Sequence, residues 1–259
     1  MSAHYVSLES LRELMDTLNG PDGCPWDREQ THESLRQYLI EEAYEVVDSI
    51  DAGDDEELME ELGDVLLQVF FHSDIASRRG AFTIDDVART LHEKMVRRHP
   101  HIFGSNALES ADEVLQQWGE IKAAEKRERT SVLDGVPRHL PALARAYKFQ
   151  KRAAKTGFDW PDAEGTLVKL EEEIGELRDA IQQGKLAEIE AEMGDVLFSV
   201  VNCARKLGVE PETALNRTNQ KFARRFRQVE ERLAQAGGKA DIEELDRFWN
   251  EIKEQERSL

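Results

Sequence analysis

Apolar residues recur every three to four positions along almost the whole chain, and strand-like alternation is scarce. Leu35, Leu39, Ala43, Val46 and Ile50 form one such stripe, and Leu58, Leu62, Val65, Leu66 and Val69 form another. The pattern predicts helices near 7–18, 32–50, 56–77, 83–98 and 110–128, then 141–154, 164–182, 187–206, 210–235 and 241–256. Chain breakers fall between them, at Asn19-Gly20-Pro21, Asp51 to Asp54, His99-Pro100, Gly157 to Pro161, Gly184 and Gly237-Gly238. The expected fold class is all-α. Residues 130–141 hold Gly135, Pro137 and Pro141, which suits an ordered connector between a helical domain at 1–129 and a second at 142–259.

The two halves repeat each other. Glu41-Glu42-Ala43-Tyr44-Glu45 and Glu61-Leu62-Gly63-Asp64 return, at a shift of 131, as Glu172-Glu173-Ile174-Gly175-Glu176 and Glu192-Met193-Gly194-Asp195. The same shift carries Gly53 onto Gly184, Trp118 onto Trp249 and Lys122 onto Lys253. Lys94, Arg97 and Arg98 match Lys221, Arg224 and Arg225 at a shift of 127. The period is too long for a solenoid repeat, so two copies of one helical domain is the natural account.

Position i+3 on a helix lies on the same face, so Glu42 and Glu45 share a face, as do Glu61 and Asp64. Two such helices packed antiparallel would gather four carboxylates, and Glu173, Glu176, Glu192 and Asp195 repeat the arrangement. Like charges at close range oppose folding unless something compensates them, and a divalent cation would. Oxygen-only ligands favour Mg²⁺ or Mn²⁺ over Zn²⁺. Ferritin-like sites use Glu-x-x-His instead, and here position i+3 is never His. An isolated Glu-x-x-Glu in so acidic a chain is ordinarily a solvated face. Duplication reverses that preference, as does the placing of the acids beside stripes expected to form cores, near Leu39, Leu62, Leu170 and Met193.

Lys221, Arg224 and Arg225 could neutralise phosphate oxygens, Trp249 could stack on a base, and Lys253 lies one turn further on. The alternative for Trp118 and Trp249 is a role as core or interface anchors. All seven histidines precede Pro141, so chemistry common to both copies cannot require one, and His99 and His101 suit a turn around Pro100 better than a metal. Cys24 and Cys203 have no counterparts in the other half, which weakens a nucleophilic-cysteine mechanism. No P-loop or His-Glu-x-x-His motif occurs.

Charge narrows the partners. With 53 Asp+Glu against 34 Lys+Arg, the formal charge of −19 argues against nucleic acid and anionic membranes. Two cysteines are too few for a disulfide framework and fit a reducing compartment. The N-terminus lacks the basic start and apolar core of a signal peptide, and the longest apolar stretch, Val65 to Phe71, is too short to span a bilayer. A cytoplasmic location is expected.

These motifs, with Cys24-Pro25-Trp26-Asp27, Arg97 to Gly104, Ser131 to Pro137 and Gly157-Phe158-Asp159-Trp160, resemble the MazG nucleoside triphosphate pyrophosphohydrolases over nearly the whole chain. The resemblance implies a Mg²⁺-dependent enzyme of the all-α NTP pyrophosphatase type, a homodimer, cleaving nucleoside triphosphates to a monophosphate and pyrophosphate; the lack of a legible base-reading motif favours broad housekeeping specificity. The resemblance also implies that Glu173, Glu176, Glu192 and Asp195 hold metal, that Glu172 orients or deprotonates water, and that Lys169, Lys221 and Arg225 meet phosphates. Trp249 and Lys253 would approach the nucleotide. Glu41, Glu42, Glu45, Glu61, Asp64, Lys94, Arg97, Arg98, Trp118 and Lys122 are the first-copy counterparts, and the second copy ranks first. Rival readings are a catalytically silent metal-binding scaffold and a narrower dUTP or phosphoribosyl-ATP pyrophosphatase.

Overall fold

Short polar caps and two glycine turns divide the chain into helices. The computed structural model describes residues 7–104, 108, 110–125 and 130–257, the side chains of 122–124 excepted. Among them there is no strand. The chain divides into two compact units, Met1–Arg127 and Glu128–Leu259.

In the first unit the helices are α1 Leu8–Leu18, α2 Pro25–Glu29, α3 Arg36–Ala52, α4 Asp55–Arg78, α5 Ile84–Arg98, α6 Pro100–Phe103 and α7 Ala111–Ala124. Ser7 and Thr83 open α1 and α5 with reciprocal capping boxes. The Asp54 side chain accepts from Glu56 N at 3.0 Å and Glu57 N at 3.1 Å, which fixes the start of α4. Gly53 closes α3 at φ +70°, a conformation that disfavours any side chain. α3 packs on α4, and α1 and α5 pack on α4 as well. Met15, Leu35, Phe70 and Phe71 form the core between them.

The second unit holds α8 Ala142–Ala154, α9 Ala163–Gln183, α10 Leu186–Lys206, α11 Pro211–Gln235 and α12 Ile242–Arg257. Gly184, also at φ +70°, makes the α9–α10 turn. α10 packs on α9 and α8, and α11 on α12 around Val229, Phe248 and Ile252. Before α8, Arg152 donates to the carbonyls of Val132 at 3.2 Å and Asp134 at 2.7 Å, pinning the segment around Ser131–Gly135 to its own unit.

The helices depart from expectation at the start of α3 and at α2 and α6. The helix expected at 32–50 begins at Arg36, because Thr31 and Ser34 bond each other's backbone N–H groups and hold a separate turn. α2 and α6 are single turns begun by Pro25 and Pro100, too short to leave a periodic signal. The expected helix at 110–128 is described to Ala124, and residues 126–128 lie outside the described residues. The apolar stripes are also not cores of the single chain: Leu35 is buried, but Leu39, Ile50, Leu62 and Met193 are exposed.

Candidate active site

Each unit builds its acidic cluster from one antiparallel helix pair. α3 presents Glu42 and Glu45 one turn apart, the two-residue turn Gly53–Asp54 reverses the chain, and α4 returns Glu61 to the same place. One carboxylate oxygen of each of the three lies within 4.8 Å of the others. In the second unit Glu173, Glu176 and Glu192 meet in the same way across Gly184–Lys185.

The clusters are electrostatically strained. Burial pushes the Glu42 carboxyl above the usual carboxylate range, helped by a hydrogen bond with Glu45 and by the charges of Asp64, Glu45 and Glu61. Desolvation and then Glu45 raise Glu61, and desolvation and then Glu173 raise Glu176. Glu173 is buried at 6% exposure, and its Oε2 has no hydrogen-bond partner. A buried carboxylate oxygen without a donor, among two further carboxylates, is the donor set a hard divalent cation takes.

Asp64 and Asp195, one turn further along α4 and α10, are not among the carboxylates that lie within 4.8 Å of one another. Asp64 still acts through its charge on Glu42 and Glu61. Glu41 and Glu172 are exposed beside the triads.

The two sites differ at one flanking position. Lys169 Nζ lies 2.6 Å from Glu172 Oε1 and 2.7 Å from Glu173 Oε1, and these bonds hold its ammonium above the ordinary lysine range. The shift of 131 places Tyr38 at the matching point of the first unit, where its ring meets Trp26 at 6.3 Å. The second triad therefore carries a lysine cation at a position where the first has Tyr38.

The basic blocks close on glutamates that sequence reasoning missed. Arg97 and Arg98 pair with Glu125 at 2.7 and 2.6 Å, and Arg224 and Arg225 pair with Glu256 at 3.3 and 2.6 Å. Glu125 and Glu256 are themselves related by the shift of 131, and that coincidence was available in the sequence. The Arg98 and Arg97 guanidiniums pull the Glu125 carboxyl down to about 2, and Arg225 likewise lowers Glu256. Trp249 packs on the Val229, Phe248 and Ile252 core, 5.2 Å from the Phe222 ring and 5.8 Å from the Arg225 guanidinium. Trp118 meets His99 edge-on at 4.9 Å. Lys221 is exposed, Lys94 and Lys253 are half-buried, and the Lys122 side chain lies outside the described residues. Among the described residues, the ion pairs of Arg97, Arg98, Arg224 and Arg225 go to Glu125 and Glu256 and not to the triads.

An all-helical chain that twice folds an oxygen-only carboxylate triad from a helix hairpin belongs to a class of protein that could hold a metal ion. The chain belongs to the MazG nucleotide pyrophosphohydrolase domain family, whose model matches residues 30–103 and again 162–230, each match spanning one triad. It is 47% identical over 252 residues, 96% of both chains, to a Thermotoga maritima protein named nucleoside triphosphate pyrophosphohydrolase/pyrophosphatase MazG. It is 42% identical to the Escherichia coli K12 nucleoside triphosphate pyrophosphohydrolase over 97% of this chain and 99% of that one. An uncharacterised Bacillus subtilis protein, YabN, is 47% identical over 98% of this chain and 53% of its own length.

Proposed function

We propose that this chain hydrolyses nucleoside triphosphates to a nucleoside monophosphate and pyrophosphate, using Mg²⁺, with Mn²⁺ able to substitute. The observation that carries the reading is the buried, unpartnered Oε2 of Glu173 inside a triad of oxygen ligands. Near-full-length likeness to relatives named for this activity supports it.

In this reading Glu173, Glu176 and Glu192, with Asp195 one turn on, hold the cation, which when bound supplies positive charge to the phosphate oxygens. Glu172, exposed beside the triad, accepts the proton of the attacking water. Lys169 already sits at the edge of the triad, where its ammonium can meet a phosphate oxygen. Lys221 and Lys253, with no ion pair among the described residues, offer ammonium groups for the same task, while Arg224 and Arg225 reach the nucleotide only by sharing or leaving Glu256. No base-reading motif is legible in the sequence, which favours a broad substrate range.

The active assembly in this proposal is a homodimer in the cytoplasm. Large apolar side chains stand exposed on the helix hairpins: Ile40, Val47 and Ile50 on α3, and Ile181, Leu197 and Val200 on α9 and α10. A Cβ at Gly63, Gly175 or Gly194, all inside helices beside the acids, would meet nothing within the chain. Helix-weakening glycines retained beside open space fit close approach by something from outside.

The test is pyrophosphate release from mixed nucleoside triphosphates at saturating Mg²⁺. Glu173→Gln combined with Glu42→Gln should cut turnover by about 100-fold or more. A folded double variant with undiminished turnover refutes the assignment.

A further inference from the structure

Two histidines of the first unit bond each other. His32 lies in the Thr31–Ser34 turn before α3 and His72 on α4, both half-buried, and their Nδ1 atoms are 2.8 Å apart. The ring centroids are 5.1 Å apart at an interplanar angle of 14°. At that centroid separation, 2.8 Å is close to the shortest approach two imidazole nitrogens can make, so the rings lie nearly coplanar and end to end. Nitrogens that share a metal ion point at it from different directions. These two point straight at each other, which leaves room between them for a proton and nothing larger.

Only one proton fits in that gap. With both rings neutral, one presents an N–H at Nδ1 and the other accepts there, carrying its own proton on Nε2. A first added proton settles on the outer nitrogen of the donor ring and leaves the bond intact. A second has only the accepting Nδ1 to take, and it sets two N–H groups against each other on two cations. Burial, and then the charge of His32, hold His72 below the ordinary histidine range. Charged groups on the surrounding elements act elsewhere: Asp16 of α1 on Asp74, Arg12 of α1 on Asp85 of α5 at 3.3 Å, and Arg36 of α3, with His32, on Glu33 in the turn. On α4 itself Arg78 pairs with Asp74 at 3.0 Å, and α2 contributes a buried Asp27 and an exposed Arg28 and Glu29.

The pair fastens α2 and the turn to α4. Beside it, Trp26 of α2 stands edge-on to Phe71 at 6.4 Å, Arg28 O accepts from Arg78 Nη1 at 3.2 Å, and Leu35 at the end of the turn is buried with Phe70 and Phe71. Of these contacts, the histidine bond is the one that a proton taken up near neutral pH can break. The second unit fastens the corresponding stretch differently. The shift of 131 carries α2 onto residues 156–160, His32 onto Ala163 and His72 onto Cys203. There Asp159 pairs with Arg205 and, at 3.3 Å, with Lys206, and the Arg205 guanidinium holds the Asp159 carboxyl below the usual carboxylate range. One junction depends on a shared proton, the other on charges that persist into acid.

We infer that the His32–His72 bond is an acid-released clasp of the first unit: double protonation frees α2 and the turn from α4, and with them the entry to α3, the helix that carries Glu42 and Glu45, while the second unit keeps its fastening. The stability the clasp confers is complete above about pH 6.5 and falls as pH drops through that value, because the unfolded chain takes up the second proton before the folded one does.

Amide hydrogen exchange of the full chain, expressed as protection factors at about pH 7.5 and about pH 5, tests this with the second unit as internal control. Protection of residues 24–36 should fall about tenfold or more on acidification, while that of residues 155–167 stays within about twofold. His72→Phe and His32→Phe each keep a ring and remove a titrating nitrogen, so each should show the same protection of 24–36 at both pH values. Wild-type protection that does not change with pH overturns the proposal, as does a fall that persists in both variants. Nitrogen NMR of the wild-type imidazoles decides the matter without any substitution. One ring of the pair in the Nδ1–H tautomer, with the second proton taken up below about pH 6.5, is the expected result. Two rings in the Nε2–H tautomer, each titrating independently at the ordinary histidine value, would overturn it.

Discussion

Glu61 is ordinary in identity and unusual in surroundings. Its carboxyl is raised by desolvation and by Glu45 and Asp64, so without a cation the folded state holds it at a disadvantage. For an acid whose folded pKa is raised, folding gains stability as pH falls through that pKa and loses it at neutral pH, where the charge must be carried. Glu61→Gln is therefore expected to raise the Tm of the metal-free protein at pH 7. The wild type should in turn gain more Tm from Mg²⁺ than the variant does. Scanning calorimetry with and without the cation checks both. The triad glutamates were legible from i, i+3 spacing and duplication, because helical geometry converts spacing into a shared face.

At the scale of elements, the paired arginines tie the last long helices together. Arg97 and Arg98 at the end of α5 hold Glu125, and Arg224 and Arg225 in α11 hold Glu256 of α12. Lowering of Glu125 from 4.5 to about 2 means that this contact contributes fully above pH 4.5 and is lost between 4.5 and about 2. A carboxyl NMR titration should place the Glu125 midpoint near 2 at low salt, moving towards 4.5 in 1 M salt because the pair is solvent-facing and screened. Long helices were readable because each repeats its period for several turns. α2 and α6 were not, being one turn each and set by a proline. The early start expected for α3 failed because side-chain bonds of Thr31 and Ser34 compete with the helix there.

For the whole molecule, the stripes read as cores turn out to be faces. Periodicity states that a helix has an apolar side, and it cannot state whether the same chain or another covers it. Ile181, 55% exposed, lies on such a face of α9 away from the triad oxygens. If that face is the seam of a homodimer, Ile181→Asp should shift the sedimenting species from dimer to monomer while leaving helix content unchanged by circular dichroism. The family model meets each unit separately, in agreement with the duplication read from the acids. Both units reverse through two residues, Gly53–Asp54 and Gly184–Lys185, and both place the returning glutamate on the seventh residue of the helix that follows. One amino acid inserted between the turn and Glu61 or Glu192 would rotate that carboxylate by about 100° and carry it off the shared face. In a library of single-codon insertions and deletions, these short stretches near the surface should tolerate length change as poorly as any packed interior.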